Sequence, residues 1–132
     1  MNYKGTSNFS MNPIKDNELE KTQAQIRKGL LEFCILLTIS GEAVYSSDIL
    51  QRLKDSDMLV VEGTLYPLLS RLRTSGLLSY QWQESPSGPP RKYYSLTDEG
   101  HRALERLVIT WNDLDASITS LLKRHKKHEK NG

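Results

Sequence analysis

The sequence predicts a mainly α-helical domain of the α+β class that contains one β-hairpin. Three observations support this fold class. Apolar residues recur every three or four positions before residue 75, which is helical spacing. The aromatic residues Tyr80 and Trp82 then alternate with glutamines, which is strand spacing. From Leu104 to Leu121 the apolar residues follow a heptad pattern, which indicates a long final helix.

The composition is that of one ordinary globular domain. The chain has 132 residues, of which 37% are hydrophobic and 26% are charged, and this length accommodates one domain rather than two. A single cysteine excludes a disulfide framework and a four-thiolate zinc site. No apolar run approaches the roughly 20 residues of a transmembrane helix, and Met1–Ser10 lacks the apolar core of a signal peptide. We therefore expect a cytoplasmic protein with no membrane partner.

The positive charge is distributed unevenly along the chain. The formal net charge is +2, and Lys123–Lys130 alone contributes five basic residues against one acidic residue. Between Met58 and Ser95 there are four basic residues against two acidic ones. A basic surface for a partner is therefore expected to be local, in the middle of the chain.

The first helix follows a polar segment. Residues 1–18 contain Pro13 and show no apolar period, so a mobile arm is predicted there. The helix runs from Leu19, and after Gly29 it is apolar on nearly every side. A helix with one face in water has a polar side, so this second half is expected to be enclosed by its own domain and by another chain. Ser40-Gly41 ends the helix.

Two shorter helices are predicted next. Ser46-Ser47-Asp48 supplies an N-cap and a negative charge for the second helix, which stops near Asp55. The third helix begins near Gly63 or Thr64 and is closed by Gly76. Its inward stripe consists of four leucines at helical spacing, Leu65, Leu68, Leu69 and Leu72.

A β-hairpin follows the third helix. Its predicted strands are Leu77–Glu84 and Arg91–Leu96, and residues 85–90, which are rich in serine, proline and glycine, form the predicted turn. Two short helices with a tight joint, followed by a hairpin, describe a winged helix-turn-helix domain over residues 19–96.

The final helix carries an apolar seam. Thr97 is its predicted N-cap, the helix spans residues 97–125, and a basic tail spans residues 126–132. Because little of a small domain remains for an acidic helix to pack against, we predict a homodimer with twofold symmetry. The alternative is that the first and last helices pack on each other within one chain. The predicted interface combines apolar residues of both helices, namely Ile26, Leu30, Phe33, Leu37, Leu104, Leu107, Trp111, Leu114, Ile118 and Leu121.

The third helix and the hairpin together are predicted to bind double-stranded DNA. Hydroxyl, aromatic and guanidinium groups on the third helix can contact the bases and phosphates of a major groove. The predicted DNA-binding residues of this helix are Thr64, Tyr66, Pro67, Ser70, Arg71, Arg73 and Thr74. Pro90, Arg91 and Lys92 near the hairpin tip add two cations for phosphates or the minor groove. A solvated helix face and an edge strand protected by charge and proline are the alternatives.

Trp111 has two interpretations. At the centre of a dimer it faces its symmetry mate, and with Phe33 it would line a pocket for a planar aromatic effector. The alternative is a core tryptophan that fills space.

The sequence contains no recognisable catalytic residue set, metal ligand set or cofactor loop, so we predict that the protein is not an enzyme and needs no cofactor or metal. A winged-helix module that binds proteins without DNA is the alternative function.

Two motifs resemble those of PadR-type transcriptional regulators. The run from Glu62 to Leu72 (EGTLYPLLSRL), followed by Gly76-Leu77-Leu78, is similar to the recognition-helix signature of that family. The run from Gly88 to Thr97 (GPPRKYYSLT), followed by Gly100, is similar to its wing and the junction with the last helix. The single C-terminal helix resembles the smaller branch of the family.

The resemblance implies a homodimeric repressor that binds a palindromic promoter site and dimerises through its first and last helices. It implies that Thr64, Tyr66, Ser70 and Arg71 face DNA and that Arg91 with Lys92 forms the wing contact. Some members release DNA when they bind phenolic or other aromatic compounds. Where the family has His-Gly-Tyr before the second helix, this chain has Val44-Tyr45-Ser46-Ser47-Asp48, so Tyr45, Ser46 and Ser47 are candidates for DNA contact there.

Overall fold

The computed structural model describes residues 13–131. In this range a three-stranded antiparallel sheet combines with long and short helices, in the order α1 (Pro13–Ile39), β1 (Val44–Tyr45), α2 (Ser46–Asp55), α3 (Glu62–Thr74), β2 (Leu78–Ser85), β3 (Gly88–Leu96) and α4 (Asp98–Asn131). The predicted fold class is confirmed, with a β2–β3 hairpin, called the wing below, and a long C-terminal helix. Within residues 13–131, no helix has both the length and the apolar character needed to cross a membrane.

The chain divides into two units, the first ending at Leu31 and the second starting at Glu32. The described part of the first unit is the N-terminal portion of α1, whose side chains from Asn17 to Gly29 are exposed. Lys21 Nζ lies 3.5 Å from Glu18 Oε1 there, and an ion pair in such full exposure contributes little to stability. The second unit contains the end of α1 and all later elements.

The start of α1 differs from the prediction. The helix begins at Pro13 rather than at Leu19. Proline suits the first helical position because its φ is already helical and its missing N–H would have no intrahelical partner, and Asp16 places a negative charge in the first turn. Residues 13–18 are therefore helical and do not belong to an arm, whereas residues 1–12 of the predicted arm lie outside the described residues.

The apolar core of the second unit draws side chains from each helix and strand. Of the four leucines predicted to face inward on α3, three are buried and Leu68 is half-buried. The end of α1 is enclosed on one side only, since Leu37 is exposed. Burial of this apolar surface is the main force that stabilises the unit. The buried apolar residues are Ile35, Leu36, Ile39, Val44, Ile49, Leu53, Leu65, Leu69, Leu72, Leu78, Tyr94 and Leu104.

The ends of α2 and α3 share one type of C-cap. After α3, Gly76 has a φ of 82°, and the Leu77 N–H donates to the Leu72 carbonyl at 3.0 Å. After α2, Asp57 takes the same left-handed conformation with a φ of 60°. These are Schellman motifs, in which a left-handed residue satisfies the last carbonyls of the helix. The predicted closure of the third helix at Gly76 is confirmed.

The sheet has the order β1-β3-β2. Its β2–β3 register pairs Tyr80 with Tyr94 and Trp82 with Lys92, while β1 pairs Val44 with Tyr94. The strand β1 was not predicted, because two residues are too short to show an alternating pattern. It forms because β3 offers a free edge for hydrogen bonding at that point.

The hairpin turn is shorter than predicted. Residues 85–90 were assigned to the turn, but β3 begins at Gly88 and includes Pro89 and Pro90. Proline cannot donate to a sheet ladder and is tolerated at bulges and free edges. Both conditions hold here, because the β2–β3 register is irregular between Gln83 and Ser85 and β1 pairs with β3 only farther along.

The predicted cap of the final helix is confirmed, whereas the predicted end is not. The Gly100 N–H donates to Thr97 Oγ1 at 2.9 Å, which satisfies one of the free donors of the first turn. At the other end, α4 continues to Asn131, so residues 126–131 extend the helix instead of forming a separate tail. His125 Nε2 lies 3.1 Å from Glu129 Oε1 at helical spacing in this last part.

Candidate nucleic-acid interface

The exposed surface of α3 contains every residue that was predicted there. Helical spacing places Pro67, Ser70 and Thr74 opposite the buried leucines; these three residues are called the outer face of α3 below. Thr64 and Arg71 lie on one flank of this face, and Tyr66 and Arg73 lie on the other. All seven side chains are exposed. The surface is therefore polar and open to a partner.

Arg71 is held by a carboxylate of α1. Its guanidinium forms an ion pair with Glu32 Oε1, and the side chains are 67% and 26% exposed, respectively. The Glu32 carboxylate neutralises part of the charge that Arg71 was predicted to offer to DNA. An exposed arginine with such a partner keeps further donors for hydrogen bonds, so the pair positions Arg71 at the edge of α3 without enclosing it.

The opposite flank of α3 contacts the sheet and α2. The Arg73 guanidinium carbon lies 4.6 Å from the centre of the Tyr80 ring. Tyr66 Oη lies 3.1 Å from Ser46 Oγ, in a hydrogen bond between two hydroxyls. Both contacts tie exposed side chains of α3 to neighbouring elements.

The prediction that Ser46-Ser47-Asp48 supplies the N-cap of the second helix is wrong, and so is the prediction that Ser46 contacts DNA. Ser46 is 4% exposed, because it is the first residue inside α2 and its hydroxyl faces Tyr66. Tyr45 occupies the N-cap position and makes no side-chain capping bond. Ser47, the next residue, is exposed and stays a candidate for contact with a phosphate.

The two wing cations point to opposite faces of the hairpin. Adjacent residues on a strand alternate between faces, so Arg91 and Lys92, which the family resemblance implied would form the wing contact together, lie on opposite faces. The Lys92 Nζ lies 4.5 Å from the Tyr80 ring centre and 5.3 Å from that of Trp82. The Arg91 guanidinium carbon lies 4.8 Å from the Tyr45 ring centre. Each cation therefore belongs to a separate aromatic contact.

The face that carries Lys92 also faces the core. Tyr94, on this face, is 6% exposed, and burial raises the pKa of its phenol, so the hydroxyl remains neutral at physiological pH. On the other face, the rings of Tyr45 and Tyr93 lie 5.9 Å apart. Pro90 is exposed near the tip. Lys92 is thus on the same side of the sheet as Arg73, and Arg91 is on the side of Tyr45.

The aromatic partners of these cations were missed as functional residues. Tyr80 and Trp82 were used only to predict a strand, and their contact with Lys92 depends on the hairpin register. Regular pairing from a turn of Pro86 and Ser87 would place Trp82 opposite Arg91, and the irregularity between Gln83 and Ser85 shifts the register so that Trp82 lies opposite Lys92. The pairing of Trp82 with Lys92 therefore depends on a bulge that the sequence pattern does not mark.

The residues predicted for a dimer interface are buried, half-buried or exposed in the structure. Leu104 is buried within its own unit, so its assignment to the interface is wrong: the first turns of α4 pack on the domain core. Phe33 and Leu30 are half-buried, and Ile26 and Leu37 are exposed. The remaining residues form one line along α4, called the α4 stripe below, consisting of Leu107, Trp111, Leu114, Ile118 and Leu121.

A groove of the second unit does not coincide with the predicted ligand pocket. It has a cavity volume of about 480 Å³, and Trp111 and Phe33 are not among its lining residues. Arg52 lies at its wall and is held by Glu42 Oε1 at 2.6 Å and by the Thr38 carbonyl at 2.7 Å. Burial raises the pKa of the Cys34 thiol in the lining, which disfavours the reactive thiolate. The lining residues are Cys34, Leu37, Thr38, Arg52, Leu53, Ser56 and Met58.

Comparison with known proteins decides the family. Residues 35–106 match the sequence profile of the transcriptional regulator PadR-like family. This range includes α2, α3, the wing and the first turns of α4, so the match covers more than half of the chain. The chain belongs to the PadR-like family. The resemblance seen in the α3 and wing motifs is thereby confirmed.

Solved structures of PadR-like proteins share both sequence and fold with this chain. A PadR-like transcription factor from Bacteroides fragilis is 50% identical, with a TM-score of 0.67, over 76% of this chain and 98% of that one. A PadR family transcriptional regulator from Eggerthella lenta is 32% identical, with a TM-score of 0.70, over 84% and 97% of the two chains. A PadR-like transcriptional regulator from Bacillus cereus is 38% identical, with a TM-score of 0.68, over 74% and 96%.

Membership of the PadR-like family makes this chain a DNA-binding transcriptional regulator. The family is a class of regulators and not a class of enzymes. The exposed α3 surface and the adjacent wing cations are the described features that suit this activity.

Proposed function

We propose that this PadR-like regulator is a homodimeric repressor that places the outer face of α3 in the major groove of a palindromic operator. The observation that carries the proposal is the exposed polar surface of α3, with Ser70 and Thr74 facing outward and Arg71 and Arg73 on its flanks. Hydroxyls and guanidinium groups at such spacing hydrogen-bond base edges and phosphates. Lys92 lies on the wing beside the same flank as Arg73, and Arg91 lies on the other wing face.

The α4 stripe supports a homodimer. Its residues from Trp111 to Leu121 are between 39% and 63% exposed, and every residue from 109 to 130 is exposed apart from Leu122, which is half-buried. A line of large apolar side chains in water is unfavourable by about 25 cal/mol for each Å² of apolar surface. A second copy offers an identical stripe, and a twofold dimer would present two α3 helices to successive major grooves about 34 Å apart.

Selection of bound duplexes from a random-sequence pool tests the proposal. We expect the wild-type protein to enrich an inverted repeat whose half-sites are centred about 10 base pairs, or a multiple of this, apart. An enriched sequence without a repeat would contradict the homodimeric arrangement. Recovery of no sequence would contradict operator binding and would favour the alternative function, a winged-helix module that binds proteins. Leu59 and Val61, which precede α3, provide exposed apolar surface for such a protein partner.

Alanine at either wing cation is expected to weaken operator binding and to lower its salt dependence. Removing one phosphate contact lowers the slope of log Kd against log salt by about one. Because Arg91 and Lys92 occupy opposite wing faces, we expect each substitution to lower the affinity independently of the other. Fluorescence anisotropy at several salt concentrations measures Arg91→Ala and Lys92→Ala individually. Lys54→Ala, at the far end of α2 from Tyr45, is the matched control. Slopes equal to the wild-type slope would remove the wing from the contact surface.

We infer that a planar aromatic compound releases the repressor by binding at Trp111 on the α4 stripe. The Trp111 indole is 39% exposed in one chain. At the proposed twofold interface it faces its symmetry mate, and a planar ligand would stack between the two indoles, with Phe33 as the second predicted residue of the pocket. Bound there, the ligand would alter the spacing of the two α3 helices.

Tryptophan fluorescence tests this effector site. In the Trp82→Phe variant, Trp111 is the remaining tryptophan. We expect saturable quenching by at least one phenolic or polycyclic aromatic compound, together with release of the selected duplex. Linear quenching by all of them would exclude Trp111 as a ligand site.

A further inference from the structure

The core-side face of the wing carries an aromatic ladder that extends beyond the core. Tyr94 is buried, its partner Tyr80 is half-buried, and Trp82, two residues farther along β2, is 61% exposed. The rings of Tyr80 and Trp82 meet edge to face at 90°, with centres 6.2 Å apart. Tyr80 and Tyr94 are also in ring contact, at 5.9 Å. An exposed tryptophan is therefore fixed to the core through a continuous line of rings.

Two cations from different elements share the Tyr80 ring. Arg73 of α3 approaches it at 4.6 Å and Lys92 of β3 at 4.5 Å, and Lys92 also reaches Trp82. A cation over an aromatic face is attracted by the ring quadrupole. Tyr80 therefore links the recognition helix to the wing, with one cation from each element in contact with its ring.

We propose that Tyr80 and Trp82 are positioning residues that hold Arg73 and Lys92 as one cationic patch for the phosphate backbone of DNA. This inference rests on the proposed function. Lysine and arginine side chains lose rotamer freedom when they are immobilised in a complex, and fixing them beforehand lowers this cost. The aromatic pair thus makes α3 and the wing act as a single binding surface.

A double-mutant cycle tests the positioning role in the full-length protein. The probe is the duplex recovered by random-sequence selection. Lys92→Ala is expected to weaken binding about tenfold in the wild-type background and about fourfold in the Trp82→Leu background, because Trp82→Leu removes one of the two rings that hold Lys92 and leaves the Tyr80 ring in place. Tyr80→Phe retains the ring and is expected to keep the wild-type Kd, whereas Tyr80→Leu is expected to weaken binding severalfold.

Controls separate positioning from folding. Trp82 is exposed, so Trp82→Leu is expected to leave the thermal melting curve unchanged, and Gln81→Leu places the same residue type on the opposite face of β2. Equal losses from Lys92→Ala in both backgrounds would overturn this inference alone. Failure of the wild-type protein to bind any duplex would overturn the proposed function and this inference together.

A second readout needs no DNA. Protons above an aromatic face resonate upfield of their usual position, so the Lys92 ε-methylene signals are expected to be shifted upfield in the wild-type protein. Trp82→Leu should move them part of the way toward the positions of exposed lysines such as Lys54, because the Tyr80 ring remains beside Lys92. Signals of Lys92 that already coincide with those of exposed lysines would contradict the contact on which the positioning role depends.

Discussion

Replacing Ile118 with arginine is expected to convert the proposed dimer into a monomer and to weaken operator binding at least 100-fold. Ile118 lies in the middle of the α4 stripe and is half exposed in one chain. At a twofold interface, two introduced guanidinium groups would have to lose their water without a partner, which is strongly unfavourable. Sedimentation velocity measures the oligomeric state, and anisotropy with the selected duplex measures affinity.

The size of the effect on DNA binding follows from the loss of the second half-site. Two α3 helices in one dimer bind with an avidity that exceeds the affinity of a single half-site by about 10² to 10⁴. A monomer retains the contacts of α3 and the wing but not this gain. We therefore expect Ile118→Arg to leave a weak affinity that is the same for a half-site and for the full repeat.

Ala116→Arg is the matched control for this prediction. Residue 116 is exposed on the same helix, about 200° around the axis from residue 118 at 100° per residue. The same side chain placed there faces away from the stripe, so the dimer and its affinity should be unchanged. A monomeric wild-type protein, or a dimer that survives Ile118→Arg, would show that the α4 stripe does not mediate assembly.

Local patterns were sufficient to predict most of the fold. The leucines of α3 and the alternating Tyr80 and Trp82 express the periods of a helix and a strand within a few residues. Gly76 marks the end of α3 by its left-handed conformation. Thr97 marks the start of α4 by accepting a hydrogen bond from the Gly100 N–H, three residues away. These features depend on the residues themselves, and the structure has them where the sequence placed them.

The partners of the exposed candidate residues could not be predicted in the same way. Ser46 and Tyr66 are separated by 20 positions, and Arg71 meets Glu32 of a different helix. Whether a serine caps a helix or is buried against a tyrosine depends on how α2 and α3 pack. Sequence patterns identified which side chains are polar and on which helix face they lie, but tertiary packing decides which of them remain open to DNA.

Gly100→Ala is expected to cause the largest loss of stability, about 3 kcal/mol, a typical upper value for overpacking. A Cβ at Gly100 would lie 2.1 Å from the Leu77 carbonyl oxygen and 3.4 Å from the Leu96 Cβ. The first of these is a backbone atom that accepts the Thr97 N–H at 3.1 Å. Relief of the clash must therefore move the connection between α3 and β2 away from the start of α4.

The loss should extend beyond the clash itself. Thr97 Oγ1 donates to the Gly76 carbonyl at 2.6 Å and accepts from the Gly100 N–H, so one hydroxyl joins the α3 C-cap to the α4 N-cap. Displacing this junction weakens both caps, and this weakening is part of the expected total of about 3 kcal/mol. For a chain of this size, thermal unfolding at fixed protein concentration should show a midpoint lower by about 10 °C.

Gly63→Ala separates this steric cause from the general effect of losing a glycine. Gly63 also lies in the first turn of a helix, but a Cβ there would meet no atom within 4 Å. Alanine favours helix over glycine by up to about 1 kcal/mol, so Gly63→Ala should unfold at the same temperature as the wild type or slightly above it. A Gly100→Ala protein as stable as Gly63→Ala would mean that α4 can begin without the close approach to Leu77, and that the junction at Thr97 does not fix its direction.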